Sequence, residues 1–136
     1  MSSRIEQFLF TIVRHLSVAE SIHHTSMEMI DAVEKENIDS LELHIGNRER
    51  LIKQLHLYQD QIDELAQKLA PMRSPFISEV ARNWLLDSQK TLNAIEDTDQ
   101  KLIKTLQSTK LSTQKQIGSL FKNRKSLSGY NLSSVR

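Results

Sequence analysis

Apolar side chains recur at alternating intervals of four and three residues through much of this chain. This spacing places them on one face of a helix and is typical of a helix that packs lengthwise against another. The first such seam comprises Ile5, Leu9, Ile12, Leu16, Ala19, His23, Ser26, Ile30 and Val33. The second comprises Leu41, Ile45, Arg48, Ile52, Leu55, Gln59, Ile62, Ala66 and Leu69. The polar stretch "KENIDS" between them predicts a tight turn, and hence an antiparallel helical hairpin.

A third helix is predicted after "APMRSP", which ends the second. Ser74 is a good N-cap, and Pro75 suits the first turn of a helix. Apolar positions then continue toward Leu127. A helix from about 76 to 127 would be roughly 75–80 Å long, against roughly 45–50 Å for each of the first two. Its last part would therefore extend past the hairpin unless the chain bends, and "STKLST" is the favoured hinge, with Gly118 second.

Composition supports the same fold class. The 136 residues include only three glycines and two prolines, too few for the many turns of a sandwich or barrel. We predict an all-α fold in which an antiparallel helical hairpin is joined by a long third helix, with a hinge giving a fourth, C-terminal helix. The predicted organisation is one helical-bundle domain over 1–130, with a body (1–106) and a basic segment (107–130), followed by a flexible tail over 131–136.

Cysteine and hydropathy bear on the compartment. The chain has no cysteine, so disulfides and thiolate zinc sites are excluded. The apolar run "FLFTIV" is too short for a signal-peptide core or a membrane span. We therefore expect a cytoplasmic protein without stable membrane insertion.

Charge is distributed unevenly along the chain. Residues 100–136 contain eight basic side chains and no Asp or Glu, whereas residues 1–99 contain ten basic and seventeen acidic side chains. The chain is thus an acidic body with a basic C-terminal third.

The candidate binding surface is an apolar stripe that the hairpin is too short to cover. Such a stripe needs a partner, which could be this chain folded back, a second copy or another protein; about half of such stripes simply complete a four-helix core. The stripe would contact a partner through five side chains, with two more at its end. These residues are Leu106, Leu111, Ile117, Leu120 and Phe121, followed by Leu127 and Tyr130.

Catalytic and metal sites are not expected. Glu20 and His23 have the Glu-x-x-His spacing of di-iron bundles, but the chain lacks a second copy of that motif. It also lacks a glycine-rich phosphate loop and a cysteine nucleophile. We predict no enzyme activity, no cofactor and no metal, and we expect Arg48 to lay its stem on the core and pair with a carboxylate of a neighbouring helix.

Two stretches of sequence resemble a known family. "ENIDSLELHIGNRERLIKQL" resembles the hairpin of the FliT-type flagellar type III export chaperones, and the third helix, ending in "LFKNRKSLSGY", is similar to the last helix of that group and of the related FlgN-type chaperones. The resemblance implies a chaperone that binds the C-terminal helical region of a flagellar secretion substrate. This would be the filament-cap protein for the FliT type, or hook–filament junction proteins for the FlgN type.

The resemblance also implies a mechanism. Such a chaperone prevents premature assembly of its substrate, delivers it to the export ATPase and gate, and can cover its binding surface with its last helix. Capture would follow the helix-in-groove mode.

Two other functions remain open from the residues alone. The C-terminal stripe could serve as the zipper of a coiled-coil homodimer. The basic segment could bind nucleic acid, but its only aromatic residues are Phe121 and Tyr130, and the acidic body would repel the same polymer. We therefore expect no nucleic-acid partner.

Overall fold

The seam predicted for the second helix is buried as expected. The computed structural model describes residues 2–109, and it contains no strand within that range. Eight of the nine predicted seam positions of the second helix are buried, and Ala66 is half-buried. The elements are α1 (Ser2–Glu34), α2 (Ile38–Leu69), a 3-10 turn (Ala70–Met72) and α3 (Pro75–Gln107). The all-α fold, with a hairpin and a long third helix, is confirmed.

The three helices are nearly equal in length and α1 lies between the other two. They contain 33, 32 and 33 residues, so each is roughly 50 Å long. One apolar cluster joins the end of α1, the start of α2 and the end of α3, and another joins their opposite ends. Hence α1 is antiparallel to α2 and parallel to α3. The backbones of α2 and α3 approach each other closely at no more than isolated points.

At several positions, the buried residue of α1 is the one just before the residue predicted for the seam. Alternate seam positions were predicted at Leu9, Leu16, His23 and Ile30, whereas the residue before each of them, Phe8, His15, Ile22 and Met29, is almost completely buried. The shared positions Ile12, Ala19, Ser26 and Val33 are buried. The predicted register was therefore wrong at Leu9, Leu16 and His23, which are half-buried, whereas Ile30 is buried as predicted. The difference arises because α1 contacts two helices and its buried stripe is centred between them.

The hairpin turn is made by three residues that serve both helices. Asn37 donates its backbone N–H to the Ala32 carbonyl at 2.9 Å, and Glu36 donates to Val33 at 3.0 Å, which is the Schellman pattern of a helix C-terminus. The Asn37 side chain then caps α2 by accepting from the Ser40 N–H. The tight turn is confirmed; its cap is Asn37, and Asp39 lies in the first turn of α2.

The start of α3 agrees with the sequence. The Ser74 hydroxyl accepts a hydrogen bond from the Ile77 N–H at 3.4 Å, and Pro75 occupies the first turn, where its missing N–H costs nothing. The N-cap prediction is confirmed.

The end of α3 coincides with the start of "STKLST". The Ser108 hydroxyl donates to the Thr105 carbonyl and the Thr109 hydroxyl donates to the Leu106 carbonyl. Such short side chains compete with the helical hydrogen bonds of the backbone, which favours termination here. The predicted continuation of the helix to about 127 and the fourth helix lie outside the described residues.

Glu36 provides a test of the turn. Its φ of 56° is left-handed, a conformation in which a side chain costs about 1–2 kcal/mol and glycine does not. We expect Glu36→Gly to raise the free energy of unfolding by about 0.5–1 kcal/mol, measured by urea denaturation. The control is Glu34→Gly, which places glycine at the last helical residue of α1, two residues earlier, and should destabilise the protein. Equal losses in both variants would contradict this account of the turn.

Candidate functional site

One buried ion pair connects all three helices. Arg48 of α2 is 0% exposed, and its guanidinium donates to both carboxylate oxygens of Asp99 of α3 at 2.5 Å. The same Nη1 donates to the Ser26 hydroxyl of α1 at 2.8 Å, and Ser26 in turn donates to the Ile22 carbonyl. The expected pairing of Arg48 with a carboxylate of a neighbouring helix is confirmed.

This pair spans the distance that the backbones of α2 and α3 leave between them. Planar, two-point contact between guanidinium and carboxylate fixes direction as well as distance. A charge removed from water is tolerated only when it is paired in this way. The contact therefore sets which side of α3 faces α2.

A second polar layer lies nearer the other end of the bundle. Trp84 of α3 donates its indole N–H to His15 Nδ1 of α1 at 3.0 Å, and the two rings meet edge to face. Because indole can only donate, Nδ1 must accept and the imidazole proton resides on Nε2. The buried Gln59 of α2 lies beside this layer. Burial lowers the pKa of His15 to about 4, and Gln59 partly opposes this shift.

The side of α3 that faces α2 is largely apolar. Asp99 marks this side, because it bonds to Arg48. Leu92 lies two helical turns before Asp99 and Ile103 lies one turn after it, so both share its face. Leu92 is half-buried against the central apolar cluster, and Ile103 is buried.

The facing side of α2 is acidic. Leu51 of α2 and Thr25 of α1 line one groove, so the Leu51 flank of the α2 seam is turned toward α1. Glu42, Glu49, His56 and Asp63 recur every seven residues along the opposite flank, so three of these four positions are acidic. We call the surface formed by this acidic flank, with Leu92 and Ile103 of α3, the α2/α3 face.

The residues considered for a metal site are not brought together by the fold. Glu20 is exposed, whereas His23 is half-buried and bonds to the Thr98 hydroxyl of α3 at 3.1 Å. Across residues 2–109, no three His, Asp or Glu side chains are arranged to hold a metal ion. Over the same range, no helix is both long and apolar enough to cross a membrane.

One predicted contact residue lies in the core and the others lie outside the described residues. Leu106 is fully buried in the cluster that contains Met29, Val33 and Leu102, so its side chain does not belong to an uncovered stripe in this arrangement. The remaining predicted contacts beyond the described range are Leu111, Ile117, Leu120, Phe121, Leu127 and Tyr130.

Sequence reasoning missed the partner of Arg48 and the whole His15 layer. A usable signal existed for Asp99, which falls between Ile95 and Leu102 on the apolar face of α3. A carboxylate at a core position requires a buried cation. No comparable signal marked His15, which lies off the predicted seam of α1.

The Arg48 pair predicts strong non-additivity between substitutions. We expect Arg48→Met to cost about 3–5 kcal/mol, because Asp99 is left buried without its cation. The double variant Arg48→Met/Asp99→Leu should recover most of that loss, since it removes both charges. Urea denaturation of the two single variants and the double variant gives the coupling energy.

The exposed pair of Lys35 and Asp31 is the matched control, with its side chains joined at 3.0 Å. Lys35→Met should change stability by less than about 0.5 kcal/mol. An additive result for the buried pair, with losses no larger than this control, would show that Arg48 and Asp99 do not hold the helices.

The lowered pKa of His15 predicts a specific dependence on pH. Folding favours the neutral ring, so its contribution to stability is complete above pH 6.5 and is lost as the pH falls toward 4. The full loss amounts to about 3 kcal/mol. In His15→Asn, the side-chain oxygen can still accept from Trp84 but does not titrate. We expect the stability difference between the native protein and this variant to shrink or reverse by about that amount between pH 7 and pH 4.

The control for this pH dependence is His24→Asn, which changes a histidine whose side chain is 75% exposed. Its stability difference from the native protein should vary far less over the same pH range. Parallel pH profiles for the native protein and His15→Asn would rule out the His15 layer as the source.

The chain was compared with protein-family models, curated proteins and solved structures, and it matches none of them. The resemblance to flagellar export chaperones therefore rests on the residues quoted above.

Proposed function

We propose that this chain is a cytoplasmic export chaperone that captures an amphipathic helix of a secretion substrate on its α2/α3 face. The observation that carries the proposal is the separation of α2 from α3. Both pack on α1, yet their backbones scarcely meet. Two helices held apart in this way can accept a further helix along their length, as in the helix-in-groove mode of recognition.

The two sides of this face suit an amphipathic helix with cationic residues. Leu92, which is half-buried beside the buried Ile103, supplies apolar surface on α3. The flank that includes Glu42 and Glu49 supplies negative charge on α2. A helix that buried its apolar stripe on α3 would bring flanking cations near these carboxylates. Such charges would favour association and orientation more than they would add affinity.

The basic segment of this chain combines apolar and cationic residues, as expected of a helix that would bind the α2/α3 face. Residues 110–136 contain six basic side chains and no acidic one, and the predicted stripe from Leu111 to Leu127 lies in this range. We propose that this segment and the substrate compete for the α2/α3 face, so that the segment covers it when no substrate is bound. The population of that covered form would lower the apparent affinity for substrate.

The expected binding energy is sufficient for a transient complex. Burying five side chains of the size of leucine or phenylalanine would contribute about 7–12 kcal/mol before the costs of association. Micromolar binding requires about 8 kcal/mol. A chaperone that must release its substrate to an export ATPase and gate needs an affinity in this range and no more.

The family resemblance supplies the substrate class. It favours the C-terminal helical region of a filament-cap protein, with hook–filament junction proteins as the FlgN-type alternative. A labelled peptide from each region, titrated against the full chain, distinguishes the two. Binding of neither peptide, together with a dimeric mass in solution, would favour the structural homodimer.

Phe121 gives the sharpest test, because it is the largest side chain on the predicted stripe. We expect Phe121→Ala to strengthen capture of the cap-protein peptide, by up to about tenfold, because it weakens the covered form that competes with the substrate. The melting temperature should stay within a few degrees, since the three-helix core does not depend on Phe121. Fluorescence polarisation and thermal melting on the same variant measure both quantities.

Phe10→Ala is the matched control, because Phe10 is 58% exposed on α1. It should alter neither affinity nor melting temperature appreciably. A large fall in melting temperature for Phe121→Ala, with unchanged affinity of the folded fraction, would mean that Phe121 is an ordinary core residue, whose loss costs about 3–5 kcal/mol. That outcome would refute the proposed role of the stripe.

A further inference from the structure

A second surface lies on the opposite flank of α2. It is an open groove of about 690 Å³, formed by Thr25 of α1 and by α2 residues that include Asn47, Gln54 and Leu57. The α2/α3 face lies across the buried seam from it, along Glu42 and Glu49. The two surfaces are therefore separate, and a ligand on one does not occupy the other.

An exposed stripe with helical spacing runs along the groove. Leu43, Asn47, Arg50, Gln54 and Leu57 are spaced by four, three, four and three residues, which places them on one face of α2. Leu43 is 61% exposed and Leu57 is 55% exposed. Leu43 and Leu57 are fourteen residues apart on this face, and Arg50 lies midway between them. The stripe therefore has an apolar contact at each end and a cation at its centre, which suits an amphipathic partner helix. This stripe is distinct from the buried seam of α2.

The groove is positively charged although the body around it is acidic. Arg50 and Lys53 are the charged residues in its lining, and no carboxylate lines it. Residues 1–109 as a whole carry 12 basic and 17 acidic side chains. The Arg50 guanidinium donates a hydrogen bond to the Asn47 side-chain oxygen one turn earlier, which directs this cation along the groove. A local reversal of charge on an acidic body indicates an anionic partner.

We infer that this groove is a second docking site, which takes an acidic amphipathic helix of a partner protein. The partner's apolar side chains would lie on Leu43 and Leu57, and its carboxylates would meet Arg50 and Lys53. The basic segment of this chain is unsuited to the groove, because residues 110–136 contain no acidic side chain. A chain with both docking surfaces can hold two different helices at once, a basic one and an acidic one, on opposite flanks of α2.

The test uses the full chain and a designed probe. The probe is a labelled 20-residue helical peptide with leucines at seven-residue spacing flanked by glutamates, and a second peptide carries lysine at every glutamate position. We expect the glutamate peptide to bind the native chain at least about tenfold more tightly than the lysine peptide, since only the former complements the groove. Amide chemical shifts of the isotope-labelled chain should change at Asn47, Arg50 and Gln54.

Charge reversal locates the site. Arg50→Glu/Lys53→Glu should weaken binding of the glutamate peptide at least about tenfold. The matched control, Arg82→Glu/Lys90→Glu, makes the same change of net charge at exposed positions of α3 and should have little effect. Phe121→Ala should also leave this binding unchanged, which separates failure of this inference from failure of the proposed function.

Several results would overturn the inference. These are no binding of the glutamate peptide, equal binding of the lysine peptide, equal weakening by the α3 control, or shift changes confined to Leu92 and Ile103. A dimer of the native chain that Arg50→Glu/Lys53→Glu dissociates would also overturn it, because the groove would then be filled by a second copy.

Discussion

A buried guanidinium and a buried carboxylate must pair in a defined geometry. In this protein that requirement fixes the position of α3 relative to α2. Arg48 and Asp99 are both fully buried and bonded at two points. Their helices scarcely touch through the backbone, so the pair is a direct side-chain link between α2 and α3. Purely apolar side chains would allow α3 to rotate or slide on α1 at little cost. The ion pair and the Ser26 hydroxyl together exclude such alternatives.

The features of a helix could be predicted where they depend on residues close together in the sequence. The seam of α2 and the cap at Ser74 depend on spacing and on residue type at one point of the chain, and both were predicted correctly. The register of α1 was wrong in part because spacing alone does not reveal that a helix is shared between two neighbours. The partner of Arg48 lay 51 residues away, and helical periodicity contains no information on which faces of distant helices meet.

The candidate site was harder to predict than the fold for a related physical reason. A binding surface is defined by what the fold leaves uncovered, and this depends on the relative placement of all three helices. Leu106 illustrates the difficulty, since it continues the apolar stripe in the sequence yet completes the core at the hairpin end. In the sequence, the acidic residues of α2 contributed only to the net charge. Their place on the flank toward α3 became apparent once the structure showed that α1 packs against the other flank. The cationic groove beside Leu51 was not visible in the sequence at all.

The position of α1 between its neighbours also determines the order in which the bundle can assemble. Helices α1 and α2 are joined by three residues, so their contacts are local in the chain and form early. Helix α3 runs parallel to α1 and can dock only after the whole of α2 has been traversed, which closes a long loop at a larger entropic cost. The Arg48 and Asp99 side chains can leave water as a pair only when α3 docks, because Asp99 lies on that helix. Desolvation of the pair therefore belongs to the docking of α3 and not to the formation of the hairpin.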